Sequence, residues 1–301
     1  MKQFLNQFII KIISFLPVFI IRLVAGRYVA GENSEDALKT VTILNKKGFT
    51  ATLDILGEHT DNENIAHNIT RQYQNLLSSI HDENLDCNIS IKLSHIGMDL
   101  NKEFIYNNIN SLIDTAKKNS QFIRIDMEHS ALTDATIDLY LKYIYHYDQI
   151  GIVLQAYLHR SKNDLIKLQH IDGLNVRICK GIYKENANIA IMERKNINNN
   201  FLDLLRFSFE NNIYVGIATH DISLIKRAYN LINDLNISND RFEFQVLYGV
   251  PMSGWLEKHL KYGYKVRVYV PFGKDWYDYS IRRLKENPNI SFYILRDVFR
   301  R

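Results

Sequence analysis

The feature that most constrains the fold of this 301-residue chain is a short apolar segment that recurs eight times, paired with helical stretches. The apolar segments have the length and the bounding Gly, Pro and polar residues that are typical of strands. They are Thr50–Gly57, Asn88–Gly97, Phe122–Glu128, Gly151–Leu158, Asn175–Tyr183, Tyr214–His220, Phe242–Gly249 and Lys265–Gly273. Strands that alternate with helices through short connections form parallel sheets.

Eight such units predict an α/β fold whose strands close into a (β/α)8 barrel, the TIM barrel. An open, doubly wound sheet is the alternative. No Pro- or Gly-rich linker divides the chain, so we expect one barrel at residues 31–301, preceded by an amphipathic helical segment at residues 1–30. Asn33 or Ser34 is expected to cap the helix before the first strand. Later helices are expected at Glu63–Ile80, Lys102–Asn119, Thr133–Tyr147, Lys162–Gln169, Asn199–Asn211, Ile222–Leu235 and Gly254–Tyr262.

Polar side chains collect at the C-terminal ends of these strands, whereas apolar residues fill the middles. The polar residues are Asp54, Glu58, Lys92, Ser94, Asp126, Glu128, Gln155, Tyr157, Lys180, Tyr183, Thr219, His220, Gln245 and Tyr269. Barrel enzymes carry their chemistry at this rim. One polar strand end is explained by helix capping, but a polar residue at every strand end predicts a ligand site.

The last strand is followed by a helix with two adjacent arginines. Tyr279, Arg282, Arg283 and Glu286 are spaced i, i+3, i+4 and i+7, so they lie on one helix face. Guanidinium groups bind planar anions through two parallel hydrogen bonds. The pair is therefore a candidate clamp for a carboxylate, and a solvated basic face is the structural alternative.

Composition limits the classes of function. The net charge of +4 is mild, and no basic run indicates a nucleic-acid partner. The two cysteines, Cys87 and Cys179, cannot build a disulfide framework, which favours a reducing, cytoplasmic setting. Cys179 lies in an apolar pattern and is expected to be a small buried residue. The histidines show no metal-ligand spacing, so no metal site is expected.

The N-terminal residues 8–24 are strongly apolar, although Lys11, Pro17 and Arg22 interrupt them. A membrane-spanning helix needs roughly 20 apolar residues, and the residues after this segment make a poor signal-peptide cleavage site. A helix packed on the protein body and a helix lying on a membrane surface both fit the pattern. Peripheral contact with the inner face of the cell membrane therefore stays open beside a cytoplasmic location.

Charges of both signs meet at the predicted rim. The cations are Lys92, Arg177, Lys180, Arg282 and Arg283, and the anions are Glu58, Asp126, Glu128 and Glu286. A small zwitterion suits such a site, with its carboxylate at the arginines and its ammonium near carboxylates and rings. Tyr183, Tyr269 and Tyr279 are candidates for an aromatic wall, and packing residues are their structural alternative.

No nucleophile with a base and an orienting residue is evident, since Ser94 and His220 come from distant strands and G-x-S-x-G is absent. Lys92 or Lys180 is a candidate for Schiff-base formation, because a buried lysine can become nucleophilic. An organic cofactor is the other source of reactivity. Gly181 would let a planar or phosphorylated ligand approach the backbone, whereas no GxGxxG motif supports a Rossmann-bound dinucleotide.

A series of short motifs runs in order from about Arg27 to the C-terminus. The motifs are Asp54-Ile-Leu-Gly-Glu58, Ser90-Ile-Lys-Leu93, Ile125-Asp-Met-Glu128, Leu154-Gln-Ala-Tyr157, Arg177-Ile-Cys-Lys-Gly-Ile-Tyr183, Tyr214-Val-Gly-Ile-Ala-Thr-His-Asp221, Phe242-Glu-Phe-Gln-Val-Leu-Tyr-Gly249, Arg267-Val-Tyr-Val-Pro271 and Tyr279-Ser-Ile-Arg-Arg283. Together they resemble the motifs of bacterial monofunctional proline dehydrogenases. The series is specific, although no single motif is.

The resemblance implies a distorted (β/α)8 barrel that holds FAD non-covalently, with the last helix over the barrel mouth. It implies a flavoenzyme that oxidises L-proline to Δ1-pyrroline-5-carboxylate by hydride transfer to flavin N5, the first step of proline catabolism. A membrane quinone would then reoxidise the reduced flavin, which supports peripheral membrane contact.

The resemblance also implies roles for substrate-binding residues. Arg282 and Arg283 would hold the proline carboxylate with help from Lys92, and Glu58 would pair with Arg282 as a gate. The residues that would enclose the proline ring are Tyr183, Leu247, Tyr269 and Tyr279.

The resemblance implies that other residues bind the cofactor and take part in catalysis. Arg177 would lie by flavin N5 and stabilise the reduced, anionic ring, and Lys92 and Asp126 complete the expected catalytic set. The residues that would contact FAD are Asp126, Met127, Gln155, Arg177, Lys180, Gly181, Thr219, His220, Gln245 and Glu286.

Some positions depart from the usual family pattern. Ile178 and Cys179 replace Leu-Val, and Ile182 replaces a small Ala, so a bulkier side chain would lie beside the flavin. Two other classes of function remain beside the flavoenzyme. One is a cofactor-free barrel lyase with a Schiff-base lysine, and the other is a regulatory protein that binds proline or flavin without turnover.

Overall fold

Eight parallel strands pair in chain order and close into a barrel in which the last strand lies against the first. The structure is a computed structural model that describes residues 21–22 and 25–286, with only the backbone of residues 284–286. The strands are β1 (Thr50–Ile55), β2 (Cys87–Ile91), β3 (Ile123–Ile125), β4 (Ile150–Gln155), β5 (Asn175–Cys179), β6 (Tyr214–Ala218), β7 (Phe242–Leu247) and β8 (Lys265–Phe272). The predicted TIM barrel is confirmed, and the open sheet is excluded.

A helix precedes the first strand, and helices fill every crossover between strands. They are α1 (Ser34–Lys46), α2 (Glu63–Asp82), α3 (Lys102–Asn119), α4 (Thr133–Ile144), α5 (Ser161–Leu168), α6 (Arg194–Glu210), α7 (Ile222–Asp234), α8 (Trp255–Lys261) and α9 (Trp276–Glu286). The Asn33 side chain caps α1 by accepting a hydrogen bond from the Asp36 amide at 2.9 Å. Asn33 is therefore the cap, and Ser34 is the first helical residue.

Each strand ends earlier than the apolar pattern predicts. Ladder hydrogen bonding in β2 stops at Ile91, although Leu93 and Ile96 are fully buried. The same holds after β4, where Leu158 is buried but lies outside the strand. The loops that follow the strands pack against the barrel end, so their residues stay apolar after the backbone has left the sheet.

The two faces of each strand differ in polarity. In β7, Phe242, Phe244 and Val246 belong to the hydrophobic core, whereas Glu243 and Gln245 line cavities inside the barrel. Successive strand residues point to opposite faces, so the helices cover an apolar outer face and the interior is polar. Burying one Leu, Ile or Phe contributes about 1.5–3 kcal/mol, and the layer between sheet and helices therefore supplies most of the cohesion.

The chain before α1 packs at the end of the barrel that α9 covers. Tyr28 and Val29 form an apolar cluster with Leu56 and Tyr279, and the Ala30 amide donates to the Pro271 carbonyl at 2.9 Å. Residues 1–20 and 23–24 lie outside the described residues, so the helical segment at residues 1–30 and its boundary stay predictions. None of the helices within the described ranges combines the length and hydropathy of a bilayer crossing.

We expect Gly249→Ala to destabilise the fold more than Gly173→Ala. Both glycines have a left-handed backbone, with φ of +73° and +71°, which costs a residue with a Cβ about 1–2 kcal/mol. A Cβ on Gly249 would lie 1.6 Å from the carbonyl oxygen of Arg27, whereas one on Gly173 meets nothing within 4 Å. Backbone cannot retreat cheaply, so Gly249→Ala should lower the free energy of unfolding by at least about 1 kcal/mol more. Denaturant titration measures both variants, and equal losses would contradict the close approach.

The pH dependence of stability should include a contribution from buried His259. Its ring stacks on Phe244 with 3.9 Å between centroids, and burial, with Lys258 nearby, lowers the pKa of His259 to about 4. The unfolded chain, with a histidine pKa of about 6.5, binds the extra proton first. The stabilising contribution is thus complete above pH 6.5 and is lost as the pH falls towards 4.

His259→Gln removes this contribution. Between pH 7 and pH 5, wild type should therefore lose about 1–2 kcal/mol more unfolding free energy than the variant does. His146→Gln, at an exposed histidine on the outer surface, is the control. An identical pH dependence in wild type and His259→Gln would contradict the assignment.

Candidate active site

A cavity of about 930 Å³ opens at the C-terminal ends of the strands, beneath α9. Its volume is in the upper part of the range of small-molecule pockets, about 300–1,000 Å³. The predicted site residues with a described side chain all line it: Glu58, Lys92, Asp126, Met127, Gln155, Arg177, Lys180, Gly181, Tyr183, Thr219, His220, Gln245, Leu247, Tyr269, Tyr279, Arg282 and Arg283. The side chain of Glu286 lies outside the described residues.

Asp126, directly after β3, joins side chains from three other strands. Its Oδ1 accepts hydrogen bonds from Ser90 Oγ at 2.5 Å and Arg177 Nη1 at 2.6 Å, and its Oδ2 accepts one from the Tyr269 hydroxyl at 2.7 Å. Burial raises the pKa of Asp126, but Arg177 and Lys92 outweigh it and hold the pKa below its usual value. The group is therefore a carboxylate that fixes its neighbours.

Lys92 forms a nearly buried ion pair with Asp54. Its Nζ donates to both Asp54 oxygens at 2.8 Å. Burial lowers the pKa of Lys92, yet Asp54 and Asp126 raise it further, so the net pKa lies above its usual value. A Schiff base requires a neutral amine, and this environment holds the ammonium form, so Lys92 is suited to binding an anion.

Arg177 lies in the middle of β5 and is almost fully buried. Its Nε donates to Gln245 Oε1 at 2.5 Å and its Nη1 to Asp126, and its guanidinium lies 5.2 Å from the centre of the Tyr269 ring. Its Nη2 has no hydrogen-bond partner among the described residues. A buried donor left without a partner costs about 1–3 kcal/mol, so this group is suited to an acceptor on a bound ligand.

Helix α9 brings the two arginines to the cavity mouth. Arg283 is only 6% exposed, and its guanidinium lies 5.3 Å from the centre of the Tyr279 ring. Arg282 has 38% of its side-chain surface exposed, and its Nη1 lies 3.8 Å from Glu58 Oε1. The Tyr183 hydroxyl donates to the same Glu58 oxygen at 3.4 Å. An exposed ion pair of this length contributes little stability, so it can open at low cost.

A second part of the cavity combines cations with a close approach to the backbone. Lys180 Nζ and Arg194 Nη2 lie 2.8 and 3.0 Å from Asp221 Oδ2. Gly181 has φ of +101°, and a Cβ there would lie 2.1 Å from the Tyr157 ring, so only glycine fits. Two cations on one carboxylate leave a net positive charge, which suits phosphate groups.

His220 also lines the cavity. Its Nε2 accepts a hydrogen bond from the Leu247 amide at 2.9 Å. Burial, with Arg283 nearby, lowers the pKa of His220 to about 4. The neutral ring that accepts at Nε2 carries its proton on Nδ1, so His220 has one further donor.

The residues present fit a planar cofactor that bears phosphates. Gln155 Oε1 and Arg177 Nη2, an acceptor and a donor, are both buried without a partner among the described residues. Gly181 and the cations around Asp221 provide the phosphate-binding elements. Within the described part of the chain, no three His, Cys, Asp or Glu side chains converge as metal ligands.

Several expectations about the rim were wrong. Glu128 is 1% exposed and accepts hydrogen bonds from the amide and hydroxyl of Ser94, so it is a structural group. Tyr157 packs under Gly181. Cys179 is half-buried and lines the cavity, because its position in β5 points inward. Burial raises the pKa of the Cys179 thiol to about 11, which disfavours a nucleophilic role.

Three further charged residues line the cavity. The sequence pattern indicates Asp54 only as a polar strand end and predicts no role for Asp221 or Arg194. Each acts through a partner on another element: Lys92 for Asp54, Lys180 for Asp221, and Asp221 for Arg194. Asp54 is the second-last residue of β1, whereas Asp221 is the N-cap of α7, three residues after the end of β6, so only Asp54 lies at a strand end.

Comparison with known proteins adds independent evidence. The family model described as Proline dehydrogenase matches residues 37–293. Proline dehydrogenase 2 of Bacillus subtilis (strain 168) is 35% identical over 274 residues, which cover 90% of this chain and 89% of that protein. Proline dehydrogenase of Deinococcus radiodurans is 33% identical over 282 residues, which cover 92% of this chain and 90% of that protein.

A solved structure of proline utilization A (PutA) from Bdellovibrio bacteriovorus is similar in fold, with a TM-score of 0.81 and 23% identity over 88% of this chain. The match covers 32% of the PutA chain, so this protein spans about a third of its length. The family model and the two relatives identify the family from the sequence. The solved structure has the same fold. The chain belongs to the proline dehydrogenase family.

Proposed function

We propose that this protein is a flavoenzyme that oxidises L-proline to Δ1-pyrroline-5-carboxylate with FAD held non-covalently in the cavity. The observation that carries the proposal is one cavity with an arginine pair at its mouth and Arg177, with an unused buried donor, at its base. The family to which the chain belongs supports it. The charged mouth disfavours a purely regulatory protein, since burying Arg283 there needs a physical reason.

The substrate would lie beneath α9. Arg283 and Arg282 would take the proline carboxylate through charge-assisted hydrogen bonds, and the Lys92 ammonium would add to the positive field. The apolar part of the ring would pack against Tyr269, Tyr279, Tyr183 and Leu247, which line the cavity. The pair between Glu58 and Arg282 would open to admit the substrate and close behind it, which excludes water.

Bound FAD would supply the chemistry, which is acceptance at N5 of a hydride from the ring carbon next to the proline nitrogen. Arg177 would stabilise negative charge on the reduced ring, because a fixed cation in a dry site stabilises developing charge. Asp126 would hold Arg177 in place through the 2.6 Å hydrogen bond. The residues that would hold the remainder of FAD are Met127, Gln155, Lys180, Gly181, Thr219, His220, Gln245 and Glu286.

The electron acceptor for the reduced flavin would be a membrane quinone, reached by peripheral contact with the inner face of the cell membrane. Two observations on the sequence support this: the apolar character of residues 8–24 and their interruption by Lys11 and Arg22. Most of that segment lies outside the described residues. Truncating residues 1–20 should lower the amount of protein that sediments with vesicles while it leaves reduction of a dye acceptor intact.

Absorbance spectroscopy tests the proposed function directly. Purified protein should be yellow, with a flavin spectrum that survives desalting, and L-proline added without oxygen or another acceptor should bleach it. D-proline at the same concentration is the control. A protein that binds no flavin would refute the proposal, and a yellow protein that L-proline does not bleach would refute the substrate.

Arg283→Ala should raise the KM for L-proline steeply and keep the yellow colour. The loss of a buried, charge-assisted contact costs about 2–4 kcal/mol. Arg282→Ala should have a smaller effect, because Arg282 is more exposed. Arg206→Ala is the matched control, since this exposed arginine pairs with Glu210 along α6. Loss of flavin from both site variants would show that the α9 face contacts the cofactor and not the substrate.

A further inference from the structure

A chain of buried side chains connects Arg177 to the part of the barrel interior farthest from the cavity mouth. Arg177 Nε donates to Gln245 Oε1 at 2.5 Å, and Gln245 Nε2 donates to Glu243 Oε1 at 2.6 Å. Glu243 Oε1 also accepts from Arg267 Nε at 2.7 Å. Glu243 does not line the cavity at the mouth; it lines a second cavity, of about 430 Å³, at the N-terminal ends of the strands.

The orientation of the Gln245 amide is determined by its two neighbours. A guanidinium can only donate hydrogen bonds, and an ionised carboxylate can only accept them. The amide oxygen of Gln245 must therefore face Arg177, and its NH2 group must face Glu243. If the amide were reversed, its NH2 group would meet the Arg177 Nε–H, and two donors would oppose each other in a buried site.

Glu243 is itself held as a fixed anion. It is 2% exposed; burial raises the pKa of Glu243, but Arg267 and its hydrogen bond outweigh burial and lower the pKa to about 2. Arg267 is anchored in turn, because its Nη1 donates to the Ala51 carbonyl at 2.7 Å. The carboxylate therefore stays ionised at neutral pH.

The neighbouring strand leaves room for this arrangement. Gly216 pairs in register with Arg177 on one side and with Glu243 on the other. A Cβ on Gly216 would lie 2.4 Å from Gln245 Nε2, so a side chain there would displace the amide. The glycine on β6 gives Gln245 access to the space between Arg177 and Glu243.

We propose that Glu243 is a positioning residue: through the amide of Gln245 it fixes the Nε side of the Arg177 guanidinium, whose Nη1 is held by Asp126, and thereby helps to direct the unused Nη2 donor towards the cofactor. The inference rests on the proposed function for the identity of the cofactor, but not for the orientation of Arg177. Glu243 touches neither the substrate nor the mouth of the cavity.

Glu243→Gln tests the proposal with almost no change of shape. The new amide still offers an oxygen to Arg267, so folding is expected to survive. Its oxygen can take the place of Oε1, which accepts from both Gln245 and Arg267. The charge that strengthens the hydrogen bond from Gln245 Nε2 is lost, however, so Gln245 is held less firmly against Arg177 Nε. Glu128→Gln is the matched control, because Glu128 is equally buried and is bound by Ser94 outside this chain of hydrogen bonds.

Two measurements on the full-length protein read out the effect. The first is the rate of hydrogen exchange of the Arg177 Nε–H in ¹⁵N-arginine-labelled protein. The signal is assigned by its loss in Arg177→Lys. The exchange rate should rise at least tenfold in Glu243→Gln and stay unchanged in Glu128→Gln. The second is the dissociation constant for FAD by fluorescence quenching, which should rise about tenfold, as the loss of one charge-assisted hydrogen bond implies.

A double-mutant cycle separates action through Gln245 from general damage. Gln245→Met removes the amide through which Glu243 is proposed to act. Because Glu243 acts through that amide, Glu243→Gln combined with Gln245→Met should show the same exchange rate of the Arg177 Nε–H as Gln245→Met alone. A further rise in the double variant, wild-type protection in Glu243→Gln, or equal loss in Glu128→Gln would each overturn the proposal. Absence of FAD binding by wild type would instead refute the proposed function and leave the exchange comparison valid.

Discussion

The rest of the site depends on one carboxylate, that of Asp126. It sits directly after β3 and accepts hydrogen bonds from side chains on β2, β5 and β8. An unpaired carboxylate in the barrel interior would be too costly to keep ionised, and so would Arg177 without it. Each of the two charges is tolerable because the other is present, and together they fix the geometry of the cavity floor.

The polar interior extends well beyond that pair. Lys92 with Asp54, and Arg267 with Glu243, are further buried ion pairs on inward-facing positions. Buried ion pairs contribute little net stability, because desolvation offsets their attraction. The apolar outer faces of the strands, packed under the helices, must supply the stability that the interior does not. The outer face of each strand thus contributes the stability, and the inner face of the same strand carries the charged and polar residues of the site.

The same separation explains what the sequence could and could not predict. The spacing of apolar segments predicted the closed barrel, and the polar strand ends predicted the location of the cavity. Strand ends were placed too late, because Leu93 and Leu158 are buried by loop packing and not by the sheet. The partner of Asp54 depends on the register between β1 and β2. The role of Glu243 behind Gln245 depends on the registers that join β5 to β8 through β6 and β7. Such pairings leave no local pattern, and the family resemblance supplied roles that spacing alone did not.

Opposite polarity on the two strand faces has an evolutionary consequence. Substitutions that alter ligand preference can accumulate at inward positions without loosening the helical layer, and compensating changes for thermostability can accumulate outside. Insertions and deletions are a different matter. A single residue gained within β7 would turn Glu243 and Gln245 towards the helices and Phe244 towards the charged interior. Insertions and deletions are therefore confined to the connecting loops. The strands of this barrel diverge by substitution at constant length.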